Sequence, residues 1–499
     1  MTKRVKQTAE GSPKLNSNML FSVLYRLSIC VLPLVVTPYI ARVLSPDDNG
    51  AYVFTSTIAC FFIMFCKLGL ESYGNRTIAA CRDDPEERSR AFFSLYIIQL
   101  IASAVSVLAY IGMVGMFITE RRTVYWLQLM YVLSGLFDVS WFFYGMERFK
   151  LTTARSLISR GLIIVGVFLF VKTENDLAVY TGVMAGLFLL EQLMLVPCLG
   201  KFVHPVKITF ADVKKHLVPN FKLFVPILAL NLYHWTDKLM LGFFCDDSTI
   251  SYYNYAESII NLPKGVIQAL SAVLLPRFAY MVARNKLSEC KKLMVGSMEL
   301  VCFAACALCF GIVGVSPVFV PFFLGEAYRP TILLTIELAI VVLPMSISDA
   351  IQSQYLVPFK KDNLNMAAIT LGAIVNIVMN LILIPIMGAS GAVIGTLLAE
   401  STVFVFLIVR IRDVIGFGKM LSSLLPYMLF GALEAGLALL LGRLPLPPVP
   451  RLAVMIVSAA ALYLALSCAY FAIRRKRDIS YESPVTFLKN SRVGIGGDD

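Results

Sequence analysis

Apolar runs long enough to cross a lipid bilayer recur from one end of this chain to the other, and that recurrence decides the solvent in which it folds. Marking them gives spans near residues 18–41, 50–70, 91–117, 123–145, 154–171, 177–199, 219–243, 253–275, 293–315, 330–356, 364–385, 389–410, 423–442 and 452–472. A hydrocarbon core needs about 20 helical residues, and each run is at or near that length. Only helices and closed barrels satisfy their own backbone polar groups in lipid, and runs this long select helices. The expected class is an all-α polytopic membrane protein of about fourteen transmembrane helices. Composition agrees, with 58% hydrophobic and 15% charged residues and a mean hydropathy of +0.76, far from the roughly 25% charged residues of a soluble domain.

The net charge of +12 would suit nucleic acid if it were clustered, but it is distributed by topology. With the N-terminus inside, 31 of the 44 Lys and Arg fall on one side of the membrane, 7 on the other and 6 within spans. The positive-inside rule then predicts both termini cytoplasmic and an even number of crossings. The first 17 residues are polar, and the run that follows is long, contains Arg26 and lacks an A-x-A-like site, so no cleaved signal is expected. The eleven cysteines sit mostly in spans or on the inner side, which implies no disulfide framework.

Six crossings return the chain to its starting side at the Lys- and Pro-rich stretch that opens with Gly200. A second six-span unit beginning near Pro219 would share the first unit's orientation, as in a parallel repeat about an axis along the membrane normal. The organisation expected is a cytoplasmic tail (1–17), a six-helix bundle (18–199), a cytoplasmic linker (200–218), a second six-helix bundle (219–410), two additional transmembrane helices (423–472) and a cytoplasmic tail (473–499). The two bundles would be related by a pseudo-two-fold along the membrane normal. Pro33, Pro38, Pro226, Pro263 and Pro344 interrupt spans, as kinks or as breaks beside a cavity.

Polar side chains inside the spans carry the functional signal. A cation at a helix centre costs about 2.5–3.5 kcal/mol on insertion scales, several times what one Leu contributes, so it tends to face an interior. Arg160, Lys222 and Lys67 are within reach of the cytoplasmic end by snorkelling. Arg26 lies about eight residues into its span, roughly 12 Å deep at 1.5 Å per residue, and Lys264 is near mid-span. Those two are expected to face a water-filled cavity. The span acids are Asp138, Glu191, Asp237, Glu257, Glu299, Glu337, Asp349, Glu400 and Glu434, some paired and some able to titrate. Trp141, Tyr233 and Trp235 stand among these charges, placed to stack on sugar, to pack or to sit at the interfacial belt. His234 reads as a packing histidine before a proton site.

Other chemistries find no foothold. Cys302, Cys306 and Cys309 have a spacing met in iron–sulfur loops, but they fall on one face of an apolar helix, where they serve as small packing residues. There is no G-x-x-x-x-G-K-[ST] loop, no H-E-x-x-H and no G-x-S-x-G. The connections are too short for a catalytic domain, so neither an enzyme nor a bound cofactor or metal is expected.

Several blocks resemble a known family. They are Arg42-Val-Leu-Ser-Pro-Asp-Asp-Asn-Gly50-Ala-Tyr52, Gly69-Leu-Glu-Ser-Tyr-Gly-Asn-Arg76, Asp138-Val-Ser-Trp141-Phe-Phe-Tyr-Gly145-Met-Glu147, Thr236-Asp237-Lys238-Leu-Met-Leu-Gly242, Gly372-Ala-Ile-Val-Asn376 with Asn380, and Gly388-Ala-Ser-Gly391 through Glu400. Over roughly residues 18–412 the set is similar to Wzx-type polysaccharide or O-antigen flippases of the multidrug/oligosaccharidyl-lipid/polysaccharide exporter superfamily. The resemblance implies two six-helix bundles around a V-shaped cavity and alternating access driven by an ion gradient. Its implied cargo is an undecaprenyl-diphosphate-linked oligosaccharide made on the cytoplasmic face. A diphosphate crossing oil needs cations, and Arg26, Arg160, Lys222 and Lys264 are the substrate-binding candidates. Asp138, Asp237 and Glu257 are the ion-coupling candidates, and Trp141, Tyr233 and Trp235 the candidate sugar contacts. The implied partners are the lipid-linked oligosaccharide and the bilayer, with association with a polysaccharide polymerase left open and no nucleic acid. A lipid II flippase and a multidrug or cation antiporter of the same superfamily stay as alternatives, and a membrane enzyme of glycan assembly is disfavoured by loop length.

Overall fold

The computed structural model describes residues 32–412 and 417–477, and of Tyr233, His234, Phe417, Lys419 and Arg477 only the backbone. Regular structure among them is helical. Twelve helices there are long and apolar enough to cross a membrane. Of the two other expected spans, the first reaches the described residues only as α1 (Leu32–Val43), and the seventh lies inside the 35-residue α9 (Phe210–Phe244).

The chain divides into two compact units, up to Trp235 and from Thr236 on, so that α9 carries the division within it. The first unit contains α1, α2 (Pro46–Lys67), α3 (Leu70–Ala80), α4 (Pro85–Phe117), α5 (Arg122–Phe137), α6 (Ser140–Gly145), α7 (Phe149–Phe170), α8 (Leu177–Leu193) and the opening of α9. Two of its helices, α2 and α4, start at side-chain caps. Ser45 caps α2 by accepting from the Asp48 amide (3.1 Å), with Pro46 and two acids in the first turn. Asp84 caps α4 by accepting from the amides of Glu86 (2.9 Å) and Glu87 (3.1 Å), again followed by proline. At the turn between α7 and α8, the backbone N–H groups of Lys172 and Thr173 bond the Asp176 carboxylate and hold it below the usual carboxylate range.

Packing in this unit follows lipid rules. The inward face of α4 buries Ser89, Ser94, Gln99, Ser103 and Ser106, small or polar residues that let neighbours approach. Gly74 lies so close to the Trp141 ring that a Cβ there would collide with it. Leu70, Ile78, Phe92, Leu95, Trp141, Phe142 and Phe143 form one buried cluster, joining α3, α4 and α6.

The second unit contains the end of α9, then α10 (Asp247–Ala283), α11 (Leu287–Leu324), α12 (Thr331–Ile351), α13 (Asp362–Met387), α14 (Ala389–Arg410), α15 (Phe417–Leu441) and α16 (Pro448–Arg477). α13 packs on α14, α12 on α10, α11 and α14, and the last two helices on each other and on α11.

Three of the prolines that read as kinks or breaks lie inside continuous helices. Pro226 is within α9, Pro263 within α10 and Pro344 within α12. Interruptions occur elsewhere: at Leu68–Gly69, at Asp138–Val139, and at Gln352–Leu356, where α12 runs on as a π turn. A proline costs a helix one internal hydrogen bond and a clash, which neighbouring helices and local adjustment absorb in lipid. Leu68 and Gly69 cannot continue the helix, because Leu68 takes a φ of 49°.

Candidate functional site

A polar cavity of about 200 Å³ opens in the first unit where the break between α2 and α3 meets the break between α5 and α6. Its lining includes three cations, Lys67, Arg155 and Arg160, and three carboxylates, Glu71, Asp138 and Glu191. The break at Asp138 turns that carboxyl off the end of α5, where its Oδ1 accepts the Ser140 amide (3.0 Å) and its Oδ2 forms an ion pair with Lys67 Nζ. Across the cavity, α7 and α8 run antiparallel and bring Arg155 to two neighbours. Its Nη1 donates to Gln192 Oε1 (2.9 Å) and its Nη2 lies 3.4 Å from Glu191 Oε1. Ser156 Oγ donates to the same Glu191 oxygen (2.8 Å).

One wall is aromatic and fixed. Trp141 Nε1 donates to Gln99 Oε1 (3.0 Å), and Gln99 Nε2 donates to the carbonyls of Gly135 (2.8 Å) and Asp138 (2.9 Å). Those bonds tie off the chain ends exposed by the break and hold the Trp141 ring at the cavity edge. A second cavity of about 220 Å³ shares Lys67, Glu71 and Phe188 with the first and adds Cys60, Tyr131, Asn231 and Trp235. A charged chamber thus adjoins one lined by rings and amides.

The residues singled out from sequence are distributed unequally. Arg26 lies outside the described residues, and so does the side chain of Tyr233. Arg160, Asp138 and Trp141 line the first cavity and Trp235 the second. Lys222 is exposed on α9 and is absent from both linings. Lys264 is half-buried on α10 in the second unit, in electrostatic reach of Asp349 on α12, which also accepts from Gln268 Nε2 (3.3 Å). Glu257 pairs with Lys238 (2.8 Å).

Asp237 is as deeply buried as Asp138. It is 7% exposed and accepts from three neutral donors: Tyr253 Oη (2.6 Å), Asn380 Nδ2 (2.5 Å) and Thr396 Oγ1 (3.0 Å). Asn376 extends the network, its Oδ1 accepting from Asn380 Nδ2 (3.3 Å) and its Nδ2 donating to Thr396 Oγ1 (3.4 Å). Gly395 is required here, since a Cβ would run into the Asn380 amide. The arrangement is an oxygen-rich pocket around one carboxylate, built from α9, α10, α13 and α14.

Reading the sequence by span missed Arg155, Glu191 and Gln192 as a set. The available signal was depth: Arg155 opens one span and Glu191 closes the next, so consecutive antiparallel helices place them level. Gln99 gave no signal, because a glutamine amid serines in an apolar run has no charge to attract notice.

The polysaccharide biosynthesis protein family model matches residues 15–282. The chain is 23% identical over 305 residues, 58% of its length and 72% of the relative's, to an Escherichia coli (strain K12) protein named "Putative O-antigen transporter". A Shigella dysenteriae protein of the same name is 21% identical over 406 residues, covering 80% of this chain and all of the relative. Among solved structures, the lipid II flippase MurJ in an inward closed conformation aligns over 91% of this chain and 99% of its own, with a TM-score of 0.69 at 18% identity. An inward-facing multidrug resistance MATE family transporter of the MOP superfamily aligns over 83% and 94%, with a TM-score of 0.55 at 12% identity. At those identities the structural likeness establishes the fold alone. With more than half its length matched by the family model, and the blocks around Asp138 and Asp237 lying inside that match, the chain belongs to the polysaccharide biosynthesis protein family.

Proposed function

We propose that this multi-pass membrane protein is a flippase that moves an undecaprenyl-diphosphate-linked oligosaccharide from the cytoplasmic to the outer leaflet by ion-coupled alternating access. The observation that carries the reading is the gathering of Lys67, Arg155 and Arg160 around one cavity. A diphosphate presents several anionic oxygens, and guanidinium groups match them with paired N–H donors. The carboxylates on the same walls hold those cations until cargo arrives, so binding is an exchange of Asp138 and Glu191 for phosphate oxygens. This keeps the empty cavity from carrying uncompensated charge within the membrane. The adjoining chamber, with Trp235, Tyr131 and Asn231, suits the sugar next to the diphosphate, since rings stack on sugar faces and amides bond hydroxyls. The lipid tail stays in the bilayer throughout.

Ion coupling is assigned to Asp237. A buried carboxylate bonded only by hydroxyls and amides among its described contacts gains from taking up a proton or a small cation. In this reading both termini are cytoplasmic, and a polymerase receives the product outside.

The test is complementation in a bacterium lacking its own copy. Arg160→Ala and Arg155→Ala are expected to abolish surface polysaccharide at unchanged protein level, with the lipid-linked intermediate accumulating in the inner leaflet. Normal polymer in both variants overturns the cationic-cavity mechanism. Rescue of a strain depleted of lipid II flippase, without rescue of surface polysaccharide, assigns the protein a peptidoglycan cargo instead. Flipping at the full rate in proteoliposomes with neither ion gradient nor potential removes the coupling.

A further inference from the structure

The last two helices hold a carboxyl that the transport reading does not use. Glu434 lies on α15, about eight residues, or 12 Å, from the nearer end of its apolar run at 1.5 Å per residue. It is 5% exposed and faces α11 through a seam of small residues. Along that seam Gly314 meets Ala435 and Ala438, and Gly431 meets the Phe310 ring so closely that a Cβ on either glycine would collide. Glu434 Oε1 lies 3.3 Å from where a Cβ of Gly311 would stand, which puts the carboxyl hard against the α11 backbone. Its Oε2 is buried with no hydrogen-bond partner among the described residues.

Among the described residues no compensating charge faces it. The titratable groups that face it are the thiols of Cys306 and Cys309 on α11 and the phenol of Tyr463 on α16. Tyr463 Oη is engaged elsewhere, donating to the Phe303 carbonyl (2.8 Å). The neighbouring Glu299, also on α11, shows the contrast: it receives Arg474 Nη1 (2.8 Å) and Tyr427 Oη (3.0 Å). A carboxylate with a guanidinium can stay charged in such a place, whereas a lone one meets the full desolvation cost of several kcal/mol.

We propose that Glu434 is a proton-binding site of the C-terminal helix pair: its carboxyl carries a proton while α15 lies against α11 and gives it up when that seam admits water. Binding and seam closure are then linked reciprocally, each favouring the other. A proton gradient would act on α15 and α16 through this group, independently of Asp237 and of any cargo.

Infrared difference spectroscopy of the full-length protein in lipid nanodiscs at neutral pH tests it. Wild type minus Glu434→Gln is expected to show the carbonyl stretch of one protonated carboxylic acid, shifting in D2O, and no matching carboxylate bands. Glu434→Leu serves as a second variant, since an apolar side chain suits the seam if the amide does not fold. Dicyclohexylcarbodiimide, which attacks protonated carboxyls in apolar surroundings, is expected to form an adduct on the peptide containing Glu434. A difference spectrum with carboxylate bands, or with no protonated carbonyl, overturns the assignment.

Discussion

Replacing Lys67 by methionine while Asp138 stays removes the cation of the ion pair at the centre of the polar cavity. The side chains of Lys67 and Asp138 are 30% and 9% exposed, so the pair is largely but not wholly dehydrated. Removing one member of a buried pair costs about 3–5 kcal/mol, because a charge is left without its partner. Asp138 keeps the Ser140 amide (3.0 Å), and the position of Lys67, 30% exposed, admits some water to it, which places the expected cost at the low end, about 3 kcal/mol or roughly a hundredfold in the unfolding equilibrium. Asp138→Asn preserves the acceptor for Ser140 and leaves an ammonium that can snorkel, so its cost should be about 1–2 kcal/mol. The double variant should cost only about 1–2 kcal/mol, which corresponds to a coupling energy of about 3 kcal/mol. The assay is SDS-driven unfolding in mixed micelles followed by tryptophan fluorescence, to which Trp141, on the same cavity wall, contributes. The same variants go through polysaccharide complementation: the double variant should be stable yet inactive, because its cavity has lost a cation that the diphosphate uses. Costs that add to within about 0.5 kcal/mol would show no interaction between the two groups. Full activity in the stable double variant would remove Lys67 from the cargo site.

Further outcomes follow from individual contacts. Gly395→Leu should drive the Asn380 amide off Asp237 and abolish gradient-driven flipping, with cargo binding to detergent-solubilised protein retained. Asp237→Asn should likewise uncouple transport, measured as a flipping rate that no longer responds to an imposed proton or sodium gradient in proteoliposomes. Trp141→Phe keeps the ring against Phe92 (5.6 Å) but loses the bond to Gln99 Oε1; a cost of about 1–2 kcal/mol in SDS titration is expected, because a buried acceptor is left unpaired. Gly74→Leu has no room beside the Trp141 ring and should reduce folded protein sharply by size-exclusion profile.

How far the site could be read beforehand varied residue by residue. Arg160 and Asp138 were visible because an ionised group inside an apolar run is conspicuous and costly. Arg155 was not, since it stands at the run's edge, where charge is commonplace, and only the level Glu191 on the next helix brings it into the cavity. Asp237 stood out as an acid, but Tyr253, Thr396, Asn376 and Asn380 come from three other helices. Their convergence depends on which helix faces which. The proline positions left kink and break open for a related reason: a proline's effect on a helix depends on what its neighbours offer the freed carbonyl, which lies outside local sequence.

The sequence by itself determined that this chain lives in a bilayer as a bundle of helices, because hydrophobic length is a local property and lipid permits few backbones. Only the tertiary structure decided which charges became partners: Lys67 with Asp138, Arg155 with Glu191, Asp237 with neutral donors, and Glu434 with no donor to its buried Oε2 among the described residues. Partnership between helices turns on rotation and depth, fixed by small-residue seams and by where helices break, and neither is written in any single run of residues.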